Sequence, residues 1–88
     1  MSASRLKMLT FVFHVEGHPD DQEMDLPDIA AAKCEAVRFA GQLICDEADQ
    51  FWDAAEFSMT VMDEHRLVLF SLTMLGQDAP AIRSSKPA

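Results

Sequence analysis

Basic residues are scarce in this chain: seven Lys and Arg stand against fifteen Asp and Glu, for a net charge of -8. A surface of that sign repels a phosphate backbone unless a local basic patch offsets it. Arg5, Lys7, Arg83 and Lys86 are scattered toward the two ends and form no patch, so nucleic acid is not an expected partner. Cysteine is also sparse. Cys34 and Cys45 stand eleven residues apart in one helical segment, a separation of about 16 Å along a helix axis. A disulfide needs Cα atoms within roughly 7 Å, so the two cannot join, and a reducing cytoplasm is the expected setting. Long apolar runs are missing as well. The N-terminal MSASRLKMLTFVFHVEGH is interrupted too soon for a signal peptide, and no stretch approaches the roughly 20 apolar residues of a membrane span. No membrane association is expected.

What the chain does have is core material. Hydrophobic residues make up 49%, with six Phe and six Met among 88 residues, which is enough for one small domain and well above the disordered class. A chain of this size is not expected to form a deep enzyme cleft by itself. The expected organisation is a flexible N-terminus at 1–7, a single domain at 8–75 and a disordered tail at 76–88, where QDAPAIRSSKPA has no periodicity.

Met8 to Val15, MLTFVFHV, is aromatic and β-branched with no helical polar stripe, which predicts a strand. Leu9, Phe11, Phe13 and Val15 share its core face; Thr10, Val12 and His14 share the other. Gly17, Pro19 and the Asp pair signal a turn, after which Gln22 to Leu26 forms a short return strand. Asp28 is the expected helix N-cap, with Asp25 a competing cap one turn earlier and Pro27 allowed in the first turn.

The helical segment IAAAKCEAVRFAGQLICDEADQFW sorts cleanly at 100° per residue. Glu35, Arg38, Gln42, Asp46 and Asp49 form a wet arc. Ile29, Ala32, Ala36, Phe39, Ala40 and Leu43 form the stripe that should seat on a sheet. A second stripe, Ala30, Cys34, Val37, Gly41, Ile44, Cys45 and Ala48, exceeds what one sheet face covers. The core stripe turns polar at Glu47 and Gln50, so the helix should leave the sheet there, with Phe51 and Trp52 folding back as a lid. Glu56 to Met62 and Leu67 to Met74 are expected strands. A three-residue loop, Asp63, Glu64 and His65, should join them, with His65 in the left-handed position. The sum is an α+β fold: strand, strand, helix, strand, strand, a mostly antiparallel small sheet with one long helix packed on one face.

FVFHV early in the chain, LPDIAAAKCEA opening the helix and VMDEHRLVLFSL as a closing hairpin together resemble a family of small bacterial proteins classed only as a domain of unknown function. The likeness covers Leu9 to Met74, and Leu26, Pro27, Asp28, Ala32, Glu35 and Ala36 are its most specific part. The family usually shows Gly where this chain has His65, and another in the loop before the helix, where this chain has DDQEMD. The resemblance implies no catalytic residues. The plan is also similar, in topology alone, to the N-terminal domain of HicB-type antitoxins, which bind a toxin partner.

His14, His18, Asp20 and Asp21, with Glu23, are the right ligand types for zinc or a similar ion, but no second paired His or CxxC fixes a geometry. The acids also lack the frame of a calcium loop. Carboxylates in an exposed turn should keep ordinary proton affinities, which argues against acid/base catalysis. Neither Cys stands at a helix N-terminus, where a thiolate would be favoured, although Cys34 in the second turn is the nearer of the two. No catalytic residue and no cofactor is expected. The expected role is a non-catalytic interaction domain that forms a homodimer, either through the second helix stripe with Phe51 and Trp52, or through a sheet edge left open by the short second strand. The alternatives are an antitoxin-like partner of another protein, or a small metal- or ligand-binding protein using the His14/His18 turn.

Overall fold

The computed structural model describes residues 7–81. The expected flexible N-terminus and most of the expected tail lie outside them. The element order is β1 (Leu9–Val15), β2 (Gln22–Leu26), α1 (Ile29–Asp46), α2 (Ala48–Ala54), β3 (Glu56–Asp63) and β4 (Val68–Leu75). All four strands join one antiparallel sheet in the order β2-β1-β3-β4, so the expected α+β fold with a long helix is what the chain adopts.

Local signals start each element. Gly17 has φ +89°, and the His18 N–H donates to the Val15 carbonyl at 3.0 Å, closing the turn that sends β2 back along β1. β2 then pairs Gln22 with Phe13 and Leu26 with Leu9. Asp28 holds extended backbone, and its Oδ1 accepts from the Ala31 N–H at 2.8 Å. It is the cap, and a cap of this kind contributes about 1 kcal/mol. Asp25, the competing cap, is engaged elsewhere: it accepts from the Thr10 hydroxyl at 2.9 Å across the β1–β2 ladder.

The expected single helix is in fact two. Glu47, at φ -121° and ψ 44°, ends α1 and starts α2, so Ala48 and Asp49 belong to a different helix from the rest of their stripes. The break falls where the core stripe turns polar, because a carboxylate at that angle cannot enter the sheet interface. Ala55, left-handed at φ 63°, closes α2, and its carbonyl accepts from the Gly76 N–H at 3.0 Å. That bond ties the end of β4 to the start of β3.

The core lies between α1 and the sheet. Phe11, Phe13 and Val15 from β1 and Met59 and Val61 from β3 are buried, and Ala32, Ala36 and Ala40 of α1 sit on them with 0%, 1% and 0% exposure. Alanines on this face let the helix axis come close to the strands. Phe39 adds an edge-on contact with Phe13, centroids 6.3 Å apart. Two residues expected in the core are not there. Leu9 and Ile29 are exposed, because β1 pairs with β3 only from Phe11 onward. Leu9 therefore has a strand neighbour on one side alone, at a sheet end that the first turn of α1 overhangs.

The β3–β4 loop also differs from expectation by one residue. Arg66, not His65, takes the positive φ, at 70°. The Asp63 carboxylate accepts from the His65 N–H at 2.8 Å and the Leu67 N–H at 2.9 Å, while the Asp63 N–H donates to the Leu67 carbonyl. Asp63 thus closes the strand pair as the first residue of a type I turn, the position Asp favours. The loop becomes Glu64, His65 and Arg66. A register shift between Val61 and Met62 leaves Leu69 of β4 as the extra residue of a bulge.

Candidate functional site

The acidic turn separates its two histidines. His14 lies on the sheet face away from the helix, opposite Thr60 of β3. There its Nδ1 meets Asp21 Oδ1 at 2.8 Å. Asp21 Oδ2 accepts from Arg66 Nη1 at 2.9 Å, a contact between residues 45 apart in sequence. Arg66 starts beyond β3 and Asp21 sits beside β2, so this side chain lies across β1. Val12, on the same open face of β1, is only 4% exposed. Arg66 has an unfavourable backbone conformation and donates one charge-assisted hydrogen bond to Asp21. Sequence spacing gave no sign of this connection, since it depends on strand order and on the one-residue loop shift.

His18 goes the other way. Its Nε2 faces Glu47 Oε1 at 3.4 Å, at the helix side of the molecule. The two residues border a cleft of about 430 Å³ with Leu43, Phe51 and Phe57. Its Nδ1 is shielded and has no protein partner among the described residues. The four expected metal candidates, His14, His18, Asp20 and Asp21, are therefore not a joint ligand set. Among the described residues no three His, Cys, Asp or Glu side chains are grouped so as to hold a metal ion.

Electrostatics at this strap of Arg66, Asp21 and His14 are local. The His14 ring and the Arg66 guanidinium, both hydrogen-bonded to it, hold the Asp21 carboxyl below its ordinary range. The Leu67 amide, against the opposing effect of desolvation and with a lesser contribution from the His65 amide, does the same for Asp63. A carboxylate lowered in the folded state stabilises the fold above the unfolded-state pKa and loses that contribution as pH falls through the folded value. Wild-type stability should therefore decline as pH drops below about 4, the ordinary carboxylate range. Asp21→Asn should show a shallower decline in urea midpoints measured between pH 7 and pH 3. An identical slope in the variant would mean that the strap carries no coupling to the fold.

The second stripe of α1 stands where its helical angle put it. Ala30, Cys34, Val37, Gly41 and Cys45 are exposed, as is Ala48 in α2, while Ile44 is half-buried. Both thiols are free. Phe51 and Trp52 do not cover this stripe. They pack edge to face on each other at 5.3 Å, and a side chain placed at Gly76 would meet Trp52 Cζ3 at 2.7 Å and Phe51 Cε2 at 3.0 Å. The lid closes over the end of β4 instead. Its Trp52 remains 55% exposed.

Sequence reasoning missed the neighbour of this stripe. Lys33 Nζ lies 5.8 Å from the Phe70 ring centroid, so the flank of α1 that carries Lys33, Val37 and Ile44 is the one turned toward β4. Phe70, Leu72 and Met74 of β4 point to the helix side and are only partly buried. Four strands at about 4.8 Å spacing span more than one helix of about 10 Å diameter can cover. The uncovered strip therefore combines a helix flank with the helix-side surface of β4. Alternating polarity in LVLFSLTML could have indicated β4's two faces; nothing in the sequence placed it at an edge.

No helix among the described residues is long and apolar enough to cross a membrane. Residues 10–76, more than half of the chain, match the sequence model of a family described as Domain of unknown function (DUF6894). No curated protein and no solved structure matches the chain.

Proposed function

The chain belongs to this family of domains of unknown function, and we propose that it is a non-catalytic interaction domain that self-associates as a homodimer through the uncovered flank of α1. The observation that carries the reading is Val37, 56% exposed, beside a half-covered row of Phe70, Leu72 and Met74. An exposed apolar side chain near a half-covered apolar row favours a partner surface over water, with the Lys33 ammonium placed over the Phe70 ring. Small residues next to Val37, namely Ala30, Cys34 and Gly41, let another backbone approach closely, and among the described residues nothing beyond the helix's own nearby backbone lies within 4 Å of where a Gly41 side chain would begin. The carboxylates with lowered proton affinity, Asp21 and Asp63, are both tied into contacts that shape the fold, which favours a binding role over catalysis.

Val37→Glu tests the reading. Glu is at least as good a helix former as Val, and the position is exposed, so circular dichroism should be unchanged. Wild-type protein should run as a dimer in light scattering and the variant as a monomer. A wild-type monomer at millimolar concentration would remove self-association altogether.

A further inference from the structure

Among the described residues the sheet has two outer strands with no further strand beyond them, and they differ in kind. β2, QEMDL, has five residues and carries Glu23 and Asp25; a second copy of β2 laid against it would bring carboxylates together. Short length and charge are the usual protections of an edge against pairing. β4, VLFSLTML, has eight residues and no charge, and its outer side offers backbone donors and acceptors with no strand beyond it in the sheet order. In a chain of net charge -8, an uncharged edge is the segment where two copies can approach with least repulsion.

We infer that β4 pairs antiparallel with β4 of a second copy, about a two-fold axis at Leu72, to make one continuous eight-stranded sheet. This rests on the self-association proposed above and adds the β4 edge to the surface that joins the two copies. A two-fold strand pair must match residues that face the same side of the sheet, since a one-residue slip would put helix-side groups against open-face groups. Among allowed registers, the one centred on Leu72 uses the straight part of β4 beyond the Leu69 bulge. On the helix side it sets Phe70 against the partner copy's Met74 and Leu72 against its own counterpart; on the open face it sets Ser71 against Thr73. Shifting the centre to Ser71 or Thr73 draws the bulge or Gly76 into the ladder. In the centred register each copy's half-covered Phe70, Leu72 and Met74 gain the same row of the other copy beside them, and the α1 flanks with Val37 stand on either side of the joined strands.

Ser71 and Thr73 are both exposed, so charges there leave the fold intact and act on the pair directly. Ser71→Asp with Thr73→Asp places like charges opposite one another twice across the axis, and Ser71→Lys with Thr73→Lys does the same with the other sign. In sedimentation equilibrium each double variant should dissociate at least tenfold more readily than wild type, with unchanged circular dichroism. An equimolar mixture of the two should recover a one-to-one dimer, because each Asp then meets a Lys. Double variants that stay dimeric while Val37→Glu dissociates would overturn edge pairing and leave the helix-flank dimer standing. Monomeric variants whose mixture stays monomeric would overturn the register, and a monomeric wild type would overturn both readings.

Discussion

Phe13→Ala is expected to cost the fold about 3–5 kcal/mol, the usual range for removing a fully buried aromatic ring. Phe13 is 1% exposed. It sits in the central part of the sheet with Gln22 of β2 on one side and Val61 of β3 on the other, and α1 closes it from above through Phe39. Phe13 therefore sits between two paired strands and under α1, and none of these elements can collapse into the void without leaving its own register. Small domains have roughly 5–15 kcal/mol of total stability, so the variant should be near the margin of folding at 25 °C. Urea unfolding followed by far-ultraviolet dichroism measures it directly. Leu9→Ala on the same strand provides the contrast: Leu9 is 47% exposed, and its removal should cost under about 1 kcal/mol. Equal losses at the two positions would contradict the core described above.

The same contrast shows what the amino-acid sequence could and could not disclose. Alternation along MLTFVFHV correctly assigned two faces, because side chains of a strand alternate whatever the strand pairs with. It could not tell that β1 would meet β3 only from Phe11 onward, and so it counted Leu9 as core. Asp28 was legible because a cap is a local event between a side chain and an amide three residues later. The place where the helix departs from the sheet, Glu47, was legible as a change of polarity on one helical stripe, but the division into two helices there was not. His65 was misplaced because the turn is decided by the Asp63 side chain, which accepts two loop amides and moves the loop by one residue. Propensity for positive φ alone did not predict that.

The candidate surface was half visible. Helical angle identified Val37 and its small neighbours, because 3.6-residue periodicity does not depend on the rest of the fold. Strand order does, and with it the discovery that this flank borders β4 and not β2. The sequence favoured the short second strand as the open edge; both outer strands are edges, and β4 is the uncharged one. The turn FHVEGHPDDQEMDLPD illustrates the opposite error. Closeness in sequence made His14 and His18 look like one site, but Gly17 turns the chain between them. His14 is left on the open face with Asp21, and His18 reaches α1's end at Glu47.

Ala36→Leu is expected to destabilise the protein by about 1–3 kcal/mol, the usual cost of forcing extra carbons into a filled core. Ala36 lies at the centre of the buried stripe, at 1% exposure, between Ala32 and Ala40 at 0%. A longer side chain there has only two outlets: an unfavourable rotamer, or displacement of α1 from the sheet. Displacement would reduce the burial of Phe13 and Val61, which the three alanines now seal. For a domain of this size each kcal/mol lowers the melting temperature by roughly 4–8 °C. Gly41→Ala on the same helix separates packing from helix propensity. It adds a methyl group where, among the described residues, nothing beyond the helix's own nearby backbone lies within 4 Å, and it replaces a helix-interior glycine, so it should stabilise by about 0.5–1 kcal/mol. Leu and Ala are both good helix formers, and a helix held in place by propensity alone would accept the first substitution with little loss. A helix seated by close approach of its alanine face would not. Opposite shifts in melting temperature for the two variants are the expected result, and a neutral or stabilising Ala36→Leu would show that the α1–sheet interface has room that the packing described here does not allow.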